Sequence, residues 1–242
     1  MTFEEQIEDV TRALTDLEQA QESAFSQSRK IIRKTKTAIH LIHEDRRDAE
    51  LIDSISGDIA ALIESVSRYP QIVYGQSVED AMMEFAETVI YDYVSRGQDI
   101  PSYLVLDVTP AAWVMGLADT IGELRRDLLR YLMEDDMEKA EKTFSKMETL
   151  SDALMSFDVK DSVAPIRRKQ DIARGIMDRS RTDLSTAMVI IQESRDKVPE
   201  NRSAYEACLC RRGKLPRTCV FAAHSEESGK IQRHRGRRCL QL

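Results

Sequence analysis

The chain has 242 residues, a net charge of −7, 42% hydrophobic and 32% charged residues, but only 9 Gly, 6 Pro and 6% aromatics. That length allows one large or two small domains, and scarce Gly and Pro beside abundant Leu, Ala, Glu, Lys and Arg argue for helices over strands. No apolar run approaches the ~20 residues that span a bilayer, and the opening MTFEEQIEDV is acidic with no apolar core, so neither a transmembrane helix nor a signal peptide is expected, and a cytoplasmic location is.

In chain order, residues 3–47 carry a nearly unbroken helical pattern without Gly or Pro. A second helix is predicted over 48–68, ended by Arg68-Tyr69-Pro70, and a third over 77–95, ended by Gly97. Residues 98–109 form a connection containing Pro101; within it only Tyr103–Val108 has the β-branched, apolar look of a strand. Thr109-Pro110 reads as an N-cap followed by Pro at the first helical position, opening a helix to about residue 133. Helices over 135–157 and 163–195 complete an all-α bundle of six or seven helices with a long first helix.

The average charge conceals a break after Asp196. Residues 197–242 hold 11 Lys+Arg and 4 Asp+Glu, a net of +7, so residues 1–196 carry −14. All four cysteines (Cys208, Cys210, Cys219, Cys239) fall in this tail, which lacks any apolar period and reads as a disordered basic extension, or even an out-of-frame end to the gene. Its Cys and His residues fit no common zinc spacing, and a nucleic-acid-binding arm is the alternative. Two domains follow: a helical body over 1–196 and the tail.

At 100° per residue, Arg29, Arg33, Lys36, His40, His43 and Arg47 fall within an arc of roughly 80° on the first helix. Ile31, Ala38, Leu41 and Ile42 fall opposite. Such a basic row suits a phosphate backbone, since each cation displaces condensed counterions, but on the stripe alone a solvated face pairing with acids elsewhere is the favoured reading. His40 and His43, spaced i, i+3, could bind a metal but read more simply as part of this stripe or as solvent-facing.

The third helix places Glu84 and Glu87 at i, i+3, and the fourth places Asp119 and Glu123 at i, i+4, so each pair shares a face. Two such pairs could hold a hard divalent cation and serve a metal-dependent phosphodiester hydrolase; the competing reading is two solvated acidic faces. Met82 and Met83, beside the first pair, read as core filler. Gly116 and Gly122 cost the fourth helix about 1 kcal/mol each relative to Ala, which a close approach of backbone or ligand would offset. No Gly-rich phosphate loop, no G-x-S-x-G and no cysteine in the body offers another chemistry.

The stretch Val108-Thr-Pro-Ala-Ala-Trp-Val-Met-Gly-Leu-Ala-Asp-Thr-Ile-Gly-Glu-Leu-Arg-Arg126 resembles the signature of the translin family, closest to translin-associated factor X and its prokaryotic relatives. Met82–Tyr93, Ser28–His43 and Arg167–Ala187 are similar to further family segments, so the resemblance covers about residues 5–190. It implies a helical bundle that assembles into a hollow, octamer-like homo-oligomer enclosing RNA or single-stranded DNA. It further implies a Mg²⁺- or Mn²⁺-dependent endoribonuclease centre. Glu84, Glu87 and Asp119 match its catalytic acids, and Glu123 matches the acid one turn on, giving four candidate metal ligands. Arg29, Arg33, Lys36 and His40 match the basic positions that line the lumen. A non-catalytic RNA- or single-stranded-DNA-binding shell is the alternative. All three polar faces lie opposite apolar stripes, so each is expected to leave the protomer's own core.

Overall fold

The computed structural model describes residues 1–196, of which Met1–Val189 form one compact unit. The basic tail expected over 197–242, with its cysteines, lies outside the described residues. Six long helices carry the fold: α1 (Phe3–His43), α2 (Ala49–Val66), α4 (Gln76–Ser95), α6 (Pro110–Met133), α7 (Met137–Met155) and α8 (Ile166–Asp196). Two single turns, α3 (Pro70–Val73) and α5 (Tyr103–Leu106), bring the described total to eight. No described helix is long and apolar enough to cross a membrane.

The helix starts follow from their caps. Thr2 and Glu5 form a capping box on α1, and Asp48, Ser102, Thr109 and Asp136 each accept a backbone N–H at the head of α2, α5, α6 and α7. Three expectations need correction. The first helix ends at His43 rather than 47, because Asp45 turns the chain through a left-handed conformation (φ 56°) before Asp48 restarts it. Pro70 ends nothing; it occupies the first turn of α3, where its missing N–H is harmless. Tyr103–Val108 is not extended: the Ser102 cap closes one helical turn, which stops at Asp107 (φ 53°).

Helix α4 is the centre of the bundle, packed against α1, α2 and α6, while α6 also packs against α7. A helix with neighbours on several sides is buried all round. Hence Phe85, Ala86, Val89, Ile90 and Tyr91 are buried, and so are the polar Glu87, Thr88 and Asp92. Met82 is core, as expected, and Met83 packs against it. The tightest crossing is at Gly116 of α6. A Cβ there would stand 2.6 Å from the Glu87 backbone nitrogen and 2.8 Å from the Met83 carbonyl oxygen. This is the backbone approach that the glycine predicted. Around Gly122 nothing lies within 4 Å among the described residues, so that glycine has no such contact.

On α1 an apolar row runs at spacings of three and four through Phe3, Ile7, Val10, Leu14 and Leu17 and continues at mostly seven-residue steps through Ala24, Ile31, Ala38 and Ile42. Among the described residues, Leu17 and Ala20 pack only partly against the core, and full burial begins at Ala24. No residue before Ala24 is buried, and Phe3, Ile7, Val10 and Leu14 are all more than half exposed.

Candidate functional site

The Gly116 crossing sets α6 directly against α4 at Glu87, and the Thr120 hydroxyl donates to the Gly116 carbonyl (2.9 Å) beside it. Both carboxylate pairs therefore share one region. Glu87 is pressed electrostatically by Asp119, Glu84 and Glu123, so the other three acids predicted for the site all lie within electrostatic reach of it. Lys36 supplies a favourable charge to Glu84, which brings one member of the basic row within electrostatic reach of the same region.

The expectation that each acidic face leaves the core fails at Glu87. Its residue is 8% exposed, and among the described residues its carboxylate accepts no hydrogen bond. Burial first, then the charges of Asp119, Glu84 and Glu123, push its pKa up to about 8, against a small opposing effect of Lys169. Glu84, half-buried, is also raised, chiefly by burial, with Lys36 opposing and Asp119 adding. The two acids of α6 are partnered instead. Lys169 of α8 donates to both carboxylate oxygens of Asp119, with 2.6 Å to Oδ2. His43 Nε2 lies 2.5 Å from Glu123 Oε2.

His43 is not solvent-facing. It is 8% exposed and joins a buried network behind the acids. Its Nδ1 is 2.9 Å from Asp127 Oδ1 and 2.9 Å from the Tyr91 hydroxyl, which donates to Asp127 Oδ2 at 2.6 Å. Arg130 donates to the same Asp127 at 3.3 Å. Burial lowers the His43 pKa, but the hydrogen bonds and charges of Asp127 and Glu123 outweigh it and hold the imidazole above its usual value. Burial would raise Asp127; His43, Tyr91 and Arg130 more than reverse that and keep it below the usual carboxylate range. An imidazolium there donates from both ring nitrogens, one to Asp127 and one to Glu123.

Arg47 also departs from the stripe. It lies past the end of α1 and donates from Nε and a terminal nitrogen to the buried Asp92 (2.6 and 3.0 Å), which Arg96 contacts as well. The remaining basic positions stay on the surface. Arg29, Arg33 and Lys36 are exposed and form no ion pair among the described residues, and Arg29 stacks over Phe25 at 5.6 Å. His40 is exposed beside Glu44, at 3.3 Å. The three cations Arg29, Arg33 and Lys36 are thus solvated rather than ion-paired among the described residues, with Lys36 in electrostatic reach of Glu84.

Sequence reasoning missed Lys169, Tyr91, Asp92 and Asp127. One signal for His43 was available: Thr35, Ile39 and His43 form an i, i+4, i+8 row, and Thr35 and Ile39 are buried on the side of α1 between the apolar stripe and the basic one. As to a metal, four carboxylates are the hard oxygen donors that Mg²⁺ or Mn²⁺ prefers, and Glu87, though mostly buried, keeps its carboxylate free of hydrogen bonds among the described residues. Among the described residues, however, no three His, Cys, Asp or Glu side chains are gathered closely enough to hold one. The donor chemistry fits, with two of the four acids committed to Lys169 and His43.

No family model matches the chain. An uncharacterized protein of Methanocaldococcus jannaschii is 34% identical over 177 residues, which cover 72% of this chain and 78% of that protein. Among solved structures, the AfC3PO–duplex RNA complex is similar with a TM-score of 0.64 and 30% identity, covering 76% of this chain and 97% of that one. Apo-NeC3PO, with a TM-score of 0.66, 19% identity and coverage of 75% and 96%, shares the fold. These likenesses span the same helices that carry the Val108–Arg126 motif and the four acids, and the chain belongs to the translin family.

Proposed function

We propose that the protein is an RNA-binding member of its family that cleaves RNA with the help of Mg²⁺ or Mn²⁺ at Glu84, Glu87, Asp119 and Glu123, inside a homo-oligomeric, octamer-like shell. The observation that supports it most is Glu87, mostly buried and without a hydrogen-bond partner among the described residues, at the α4–α6 crossing where Glu84, Asp119 and Glu123 all press on it electrostatically. A carboxylate this short of solvent, with three other acids pressing on it, holds its charge at a cost that its raised pKa records and that cation binding would relieve. When bound, the ion supplies Lewis-acid stabilisation of the scissile phosphate and an activated water. The chain's own part is to orient. Gly116 fixes the spacing of the two helices, His43 holds the Glu123 carboxylate, and Arg29, Arg33, Lys36 and His40 offer a row of donors along which the RNA backbone lies. That a relative was solved with duplex RNA supports this class of partner.

Cleavage of labelled single-stranded and duplex RNA, with Mg²⁺, with EDTA, and by Glu84→Ala and Asp119→Ala, tests the catalytic reading. Products that need Mg²⁺ and both acids are expected; equal cleavage in every arm rejects it. A non-catalytic shell for RNA or single-stranded DNA is the second reading, supported by the pairing of Asp119 and Glu123 with basic side chains. It yields binding without metal-dependent products. Under either reading Arg33→Ala weakens binding at low salt and flattens the salt dependence of the binding constant by ~0.7 in log–log slope, the value for one phosphate contact on a single strand. Light scattering after size exclusion tests the assembly: a mass near eight protomers supports a shell, a monomer removes it.

A further inference from the structure

The acidic cluster already holds a positive charge of its own. Lys169, in the first turn of α8, reaches Asp119 on α6 and donates to both carboxylate oxygens, so the groups that would face a divalent ion face an ammonium instead. Its side chain is 22% exposed and that of Asp119 29%, so solvent only partly screens the pair. Its charge also reaches Glu87, the buried acid that accepts no hydrogen bond. No other described residue forms an ion pair with Asp119.

We infer that Lys169 is a tethered cation that competes with the divalent metal for Asp119, so that metal binds only as the ammonium is drawn away, the natural competitor for it being a phosphate of the RNA. This rests on the reading of the cluster as a metal site. It fits the geometry, in which Lys169 holds both oxygens of Asp119 and no three acids among the described residues are gathered for an ion. A lysine is suited to the task because its ammonium sits on a flexible four-carbon stem and can swing between an acid and a phosphate without moving the helix.

The test uses Mn²⁺ alone, without RNA, on the full-length protein, with the affinity read by calorimetry or by the loss of the free-ion paramagnetic signal. Lys169→Met is expected to bind Mn²⁺ about tenfold more tightly than wild type, Lys169→Arg about as weakly as wild type, and the gain should vanish when Asp119→Asn is added. Lys169→Gln, which keeps an amide donor and the packing of the stem, guards against misfolding of the Met variant, and melting curves are taken for both. A second expectation separates competition from bracing: a short RNA with uncleavable linkages should tighten Mn²⁺ binding to wild type and leave Lys169→Met unchanged. If wild type and Glu84→Gln differ in Mn²⁺ affinity but Lys169→Met and Lys169→Gln bind like wild type or more weakly, Lys169 only braces α8 on α6 and the inference is overturned. If no variant binds Mn²⁺ while all remain folded, the metal site and this inference fall together.

Discussion

Glu87 shows how far one residue can stand from its sequence appearance. On the helical wheel it shares a face with Glu84, a surface-like pair on an acidic chain. In the fold it is buried, because α4 has neighbours on three sides. Its raised pKa has a stability consequence whose sign is fixed by linkage. A carboxyl with a folded pKa near 8 and an ordinary value of 4.5 stabilises the fold fully only below 4.5, and that contribution is lost as pH rises through about 8. Glu87→Gln should therefore melt several degrees above wild type at pH 7–8, a gain of up to about 2–3 kcal/mol, and show no gain at pH 4, while abolishing metal-dependent cleavage. Melting curves across pH against the cleavage assay check both halves. His43 acts in the same direction by a different route. Its raised pKa means that its partnership with Asp127 and Glu123 is complete below 6.5 and fades as pH climbs through the folded value. Asp127, held low, contributes above about 3.8 and loses its share as pH falls through its own folded value. The cost of His43→Gln should thus be greatest near pH 5–6 and smaller at pH 9, as read by denaturant midpoints.

At the scale of the element, the helices were legible and their partners were not. Caps such as Thr109-Pro110 and breaks such as Gly97 are local, and six long helices emerged near their expected bounds. The ends that moved did so for local reasons that sequence pattern leaves open, such as Asp45 adopting a left-handed conformation that Asp tolerates. The two glycines of α6 are indistinguishable in sequence and opposite in role. Gly116→Ala would drive a methyl into the α4 backbone, and overpacking of about 1–3 kcal/mol outweighs the ~1 kcal/mol helix-propensity gain. The variant should be less stable and, with Glu87 displaced from Asp119, weaker in metal binding. Gly122→Ala meets nothing within 4 Å and should stabilise by about 0.5–1 kcal/mol. Thermal denaturation of the two variants side by side decides it. Lys169 and Asp127 were invisible for the reason that made Gly116 ambiguous: their meaning lies in contacts between helices distant in the chain.

For the whole molecule, the net charge of −7 proved a poor guide. An acidic body argues against a polyanion partner only if its charges are evenly spread. Here the acids that matter are drawn inward at the α4–α6 crossing or neutralised by Lys169, His43 and Arg47, while Arg29, Arg33 and Lys36 stay exposed and without an ion pair among the described residues. The family resemblance supplied the function class; the residues alone gave the basic row and the two acidic pairs, with their convergence unseen.

The thinly covered start of α1 has one more implication. Helices of this length hold together through tertiary contact more than through their own hydrogen bonds, and before Ala24 no residue of α1 is buried. The first turns are therefore close to a free peptide in their local stability, while the last are as firm as the core. Trypsin can read that gradient, because Arg12 is the one Lys or Arg in the first 28 residues. Brief digestion of the dissociated protomer should remove residues 1–12 well before any cut at Lys34, whose ammonium is engaged with Asp58, and mass spectrometry would follow the order. A shell that covers the apolar row would protect Arg12, turning a single protease site into a gauge of whether the protomers have met.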